Sequence, residues 1–123
     1  MRLLLDTHVI LWWLADDPQL ADDIKDRIDT EVDVFVSAAT TWEITIKQAL
    51  GKVGPADLPE RVAGGELREL PITSRHAIQA GRLPLIHRDP FDRMLVAQAQ
   101  CEGLTLVTRD AGIQKYDVAL LHA

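Results

Sequence analysis

"DPFDRMLVAQAQCEGLTLVTRD", residues 89–110, decides how the chain is read, because it holds one complete helix-to-strand unit. Asp89 has the side chain of a helix N-cap, Pro90 suits the first helical position, and Gly103 supplies a stop. Between them Leu95, Val96 and Ala99 recur at helical spacing. Asp92 shares their stripe, one turn before Leu95 and Val96 and two before Ala99. The run "LTLVT" (104–108) then reads as a buried strand ending in the polar tip Thr108-Arg109-Asp110.

The same alternation extends outward. "RLLLDTHVILWWLA" (2–15) opens with a short strand, Leu3–Leu5, and continues as a helix over Thr7–Ala15. Residues 20–28 form a second helix with Asp22 and Asp23 in its first turn, where acids favour the dipole. "DVFVS" (33–37) is a buried strand, followed by a helix over Thr41–Leu50 that stops at Gly51. A short helix (57–65), a weak strand (67–72) and a helix capped by Ser74 precede the opening segment. A short helix (111–116) and a last strand (118–121) follow it. Strands separated by helices imply a parallel sheet covered on both faces. The expected fold is a three-layer α/β/α sandwich with a central parallel sheet, one domain over residues 1–123.

Composition narrows the function classes. A chain of 123 residues buries a sizeable core without staples. The single cysteine, Cys101, cannot pair within the chain and suits a reducing cytoplasm, the expected location. Asp6 breaks the N-terminal apolar run after three leucines, and Val9–Ala15 is too short to span a bilayer, so no signal peptide or membrane anchor is expected. The net charge of −6 argues against a protein that coats nucleic acid. It leaves room for an enzyme that meets nucleic acid through bound cations, and for a basic partner.

Sites in open parallel sheets form beyond the carboxyl ends of the strands. Three strands end in polar residues there: Asp6-Thr7, Ser37 and Thr108-Arg109-Asp110. Asp92, on an apolar stripe, and Glu43, one turn before Ile46, add acids from helices. Asp6, Glu43, Asp92 and Asp110 are therefore expected to form a cluster of four carboxylates. Like charges held close and buried raise one another's pKa. A hard divalent cation, Mg²⁺ or Mn²⁺, removes that conflict, and phosphodiester hydrolysis is the chemistry that matches.

Simpler roles compete for each residue. Glu43 closes a T-x-x-E capping box with Thr40, Asp89 is a cap before it is a ligand, and Asp110 suits the cap of the next helix. Asp6 and Asp92 open no obvious cap and interrupt apolar patterns. Thr7, Ser37 and Thr108 read as caps or as hydrogen-bonding partners of the acids. His8, His76, His87 and His122 lack paired metal spacing and read as surface or lightly buried. Cys101 reads as a small buried hydrophobe, and Trp12, Trp13 and Trp42 as core or interface aromatics.

"LLLDTHVILWWL", "SAATTWEITIKQALGKV" (37–53) and "HRDPFDRMLVAQAQCEGLTLVTRD" (87–110) together resemble a PIN domain, more narrowly the VapC-type ribonuclease toxins of toxin–antitoxin pairs. The resemblance implies that Asp6, Glu43, Asp92 and Asp110 are the four acids of the family site. It places Thr108 beside the metal with Thr7 assisting, and leaves Asp89 open between a cap and a partner of the site acids. It also implies Mg²⁺- or Mn²⁺-dependent endonucleolytic cleavage of RNA, a homodimer, and an antitoxin whose basic segment reaches the acidic cleft. A housekeeping PIN nuclease of RNA processing, or a catalytically silent PIN-like binding module, are the alternatives. A phosphotransferase with Asp6 as nucleophile would want an acid two residues on, where His8 stands.

Overall fold

Leu3, Leu4 and Leu5 are fully buried in the strand β1 (Arg2–Leu5), yet alternation along a strand sends neighbours to opposite faces. Both faces of β1 must therefore be covered, and they are. Leu3 and Leu5 join one core with Val9 and Ile10 of α1 (Thr7–Leu14), Ile24 and Ile28 of α2 (Asp22–Thr30), and Ile44 of α3 (Ala38–Ala49). Val62 of α4 (Leu58–Ala63) closes the same side. Leu4 joins the other core with Ala80 of α5 (Ser74–Arg82), Leu95 and Val96 of α6 (Pro90–Glu102), and Ile113 and Tyr116.

In the computed structural model, which describes residues 1–51 and 54–123, the sheet has five strands in the order β3-β2-β1-β4-β5. The remaining strands are β2 (Asp33–Ser37), β3 (Arg68–Leu70), β4 (Thr105–Thr108) and β5 (Leu120–His122), and every pairing is parallel. Leu4 lies between Phe35 and Leu106 in register. The three strands with polar tips, β2, β1 and β4, are thus contiguous, and their carboxyl ends share one edge. The α/β/α expectation holds. Lys52 and Val53, which end the segment 37–53, lie outside the described residues.

Local differences have identifiable causes. α3 begins at Ala38, three residues before the expected start, because Ser37 at the tip of β2 caps it directly by accepting the Ala39 N–H at 3.0 Å. Glu43 is consequently well inside the helix, and the capping box with Thr40 does not form. Thr73 rather than Ser74 caps α5, accepting the His76 N–H while His76 Nδ1 accepts the Thr73 N–H. His76 is therefore fully buried, not at the surface or lightly buried as expected. Cys101 is only half-buried. The expected helix at 111–116 shrinks to a 3-10 turn, Ile113–Lys115. Gly103 ends α6 with φ 66°, the left-handed conformation that glycine adopts freely.

Candidate active site at the carboxyl edge of the sheet

Asp6 is the only residue between β1 and α1. It turns out to be a cap: Oδ1 accepts the Val9 N–H at 3.0 Å, a contact worth about 1 kcal/mol. The other oxygen, Oδ2, accepts the Thr108 hydroxyl at 2.5 Å from the tip of the adjacent β4. Thr108 Oγ1 also accepts the Asp110 N–H at 3.0 Å, so one buried hydroxyl joins the Asp6 carboxyl to the Asp110 backbone. Burial pushes the Asp6 carboxyl above its ordinary range, against the hydrogen bonds from Thr108 and Val9 that favour the carboxylate.

Glu43 reaches this edge from α3 and is buried. Its Oε1 accepts the Thr7 hydroxyl at 2.5 Å, and Oε2 pairs with Lys47 Nζ at 3.2 Å, one turn along the helix. Thr7 follows Asp6 in sequence, so the strand-to-helix junction holds both acids' surroundings. Lys47 was not singled out from the sequence, although its i, i+4 spacing from Glu43 is the signal that would have found it.

Asp92 and Asp110 meet around His87. His87 Nε2 lies 3.1 Å from Asp92 Oδ2 and 3.6 Å from Asp110 Oδ2. Single ligand atoms of His87, Asp92 and Asp110 all fall within 4.8 Å of one another. Burial, with the like charges of Asp89, Asp110 and Glu43, pushes the Asp92 carboxyl up to about 7, and His87 opposes that rise. Asp110 also closes the next turn, its Oδ1 accepting the N–H groups of Gly112 at 2.7 Å and Ile113 at 3.2 Å. Asp89 is the N-cap of α6, accepting from Phe91 and Asp92 N–H.

The expected four-carboxylate cluster is thus more divided than the sequence suggested. Asp92 and Asp110 share a ligand-distance group with His87, while Asp6 and Glu43 stand outside that group. Asp6 is coupled to it through Thr108, and Glu43 through its charge on Asp92. Ser37 serves as the α3 cap, and among the described residues it has no hydrogen bond to an acid. Thr7 and Thr108 do touch acids. Buried carboxyls whose charged forms are disfavoured by burial and by one another suit a shared hard cation, and oxygen donors match Mg²⁺ or Mn²⁺. The residues present fit such an ion.

A parallel α/β domain with buried acids at the carboxyl edge of its central strands is the class that fold and site define. The PIN domain family matches residues 3–119, and the chain belongs to that family. It is similar in structure to FitAB bound to an IR36 DNA fragment, at 28% identity, with 98% of this chain and 94% of that chain covered and a TM-score of 0.72. It is also similar to DNA-bound VapBC from Salmonella typhimurium (19% identity, 99% and 98% covered, TM-score 0.75). VapBC2 from Rickettsia felis bound to a DNA fragment from their promoter gives 15% identity, 99% and 98% covered, and a TM-score of 0.74. At these lower identities the two VapBC matches speak for the fold, which is VapC-like. No curated protein sequence matches the chain significantly.

Proposed function

We propose that the protein is a metal-dependent endoribonuclease, the toxin of a VapBC-type toxin–antitoxin pair, hydrolysing RNA phosphodiester bonds. The observation that carries this reading is the junction of the buried Asp6 with Asp110 through Thr108, beside an Asp92 carboxyl raised to about 7. Asp6, Asp92 and Asp110, with Glu43, would hold Mg²⁺ or Mn²⁺. Bound there, the ion would supply an activated water and neutralise charge developing on the phosphate. Thr108 orients Asp6, and Thr7 with Lys47 orients Glu43.

The test is cleavage of RNA by purified protein with Mn²⁺, with EDTA, and with Asp6→Asn or Asp92→Asn. Cleavage with Mn²⁺ that EDTA and either variant abolish is the expected result. A folded wild type that cleaves nothing in Mn²⁺ would leave a PIN-like binding module instead.

Two partners belong to the same proposal. An acidic edge on a chain of net charge −6 favours an antitoxin with a basic segment. Trp42 and Ile46 on α3, with Leu50 at its C-cap, are exposed and offer an apolar face for the homodimer. Among the described residues no helix is long and apolar enough to cross a membrane, and action in the cytoplasm fits that.

A further inference from the structure

We propose that His87 is a positioning residue of this site, its Nε2–H facing the Asp92 carboxylate and steadying it, and not a ligand of the cation. The inference deepens the nuclease reading and rests on it for its functional consequence. Its structural content is independent of that reading.

Which ring nitrogen carries the proton separates a donor from a ligand. His87 Nδ1 accepts the Asp89 backbone N–H at 3.2 Å, so Nδ1 must present a lone pair. A neutral imidazole then has its hydrogen on Nε2, the nitrogen 3.1 Å from Asp92 Oδ2 and 3.6 Å from Asp110 Oδ2. Binding a cation through Nε2 would require the other tautomer. The proton would then sit on Nδ1, facing the Asp89 N–H donor head-on. Asp89 thus has two duties: its carboxylate caps α6, and its amide fixes the tautomer of His87.

The ring occupies a built seat. The His87 N–H donates to Tyr116 Oη at 2.9 Å. Arg93 donates to the carbonyls of Ala80 at 2.8 Å, Leu83 at 3.1 Å and Pro84 at 2.9 Å, and more weakly to that of His87 at 3.4 Å, clamping the segment that carries the histidine. Gly112 leaves the space the ring fills: a Cβ there would lie 2.7 Å from His87 Cδ2. An incidental surface histidine has no need of such support. Groups that orient metal-binding carboxylates in this way typically change cation affinity or activity about 10–100-fold when removed.

The tautomer is read directly by a two-bond proton–nitrogen correlation spectrum of the ¹⁵N-labelled wild type, recorded with and without Mg²⁺. We expect the Nε2–H form in both. The Nδ1–H form in the presence of Mg²⁺ would overturn the inference. Substitution supplies the second arm. H87A should raise the Mg²⁺ concentration for half-maximal RNA cleavage about 10–100-fold. H87Q, which restores an N–H donor, should recover most of that loss, whereas H87D, which offers a metal-binding oxygen and no donor, should not. H87D outperforming H87Q would identify a ligand and refute the positioning role. Absence of RNA cleavage by the wild type would count against the nuclease reading, and the spectrum would still decide the tautomer.

Discussion

Replacing Asp92 with Asn should stabilise the metal-free protein while abolishing its activity. The Asp92 carboxyl is pushed from an ordinary 3.8 up to about 7, first by burial and then by neighbouring acids. A group whose folded pKa is raised binds its proton more tightly in the folded chain. Its contribution to stability is full below the unfolded pKa and is lost as pH rises from about 4 to about 7. At about 1.4 kcal/mol per pKa unit, the ionised form at pH 8 costs at most about 4 kcal/mol. The side chain keeps 21% exposure, so water screens part of this and about 2 kcal/mol is the working figure. Asn has the same shape and carries no charge. Urea unfolding in EDTA should therefore show D92N more stable than wild type by about 2 kcal/mol at pH 8, and by about 0.5 kcal/mol or less at pH 4. Mg²⁺ should narrow the gap at pH 8, because binding stabilises the wild type selectively. A variant no more stable than wild type at pH 8, or equally stabilised at both pH values, would refute the reasoning.

Thr108→Val removes the hydroxyl that donates to Asp6 and accepts from Asp110. With a charge-assisted bond lost and a backbone donor unpaired, urea unfolding at pH 7 should show a loss of about 2–4 kcal/mol, and Thr108→Ser should keep most of the stability. Equal losses in the two variants would mean that packing, not the hydroxyl, matters there. Gly112→Ala should lower thermal stability: φ −67° accommodates alanine, but the new Cβ would lie 2.7 Å from His87 Cδ2 and 3.0 Å from Asp110 Oδ1, so the ring or the turn must shift. Its new Cβ presses on the His87 ring, so RNA cleavage should fall about tenfold or more, and an unimpaired G112A would show the seat to be dispensable.

The parallel sheet was legible because each core strand is a short apolar run and each is followed by helix punctuation. Caps were less legible where two candidates adjoin. Thr73 and Ser74 both carry hydroxyls, and the outcome was decided by His76, whose ring completes a box usually closed by Glu or Gln. Asp6 was recognised as an acid between apolar elements but not as a cap, because a single residue there serves as both strand tip and helix start. His87 was read as surface or lightly buried and given no role, for a different reason. It lies in an irregular segment with no periodicity, and its role depends on a tautomer set by a backbone amide two residues away.

What no local pattern carries is which acids share an ion and which merely stand nearby. The bond from Thr108 to Asp6 joins residues separated by 102 positions and exists because β1 and β4 are neighbours, with Leu5 registered on Val107. Strand order therefore converts two separate polar tips into one site. It also makes the site's geometry depend on core packing beneath it: Leu4 and Leu106 pair directly below these tips and are fully buried. An acid at a strand end can be read from sequence; its partner is chosen by the sheet.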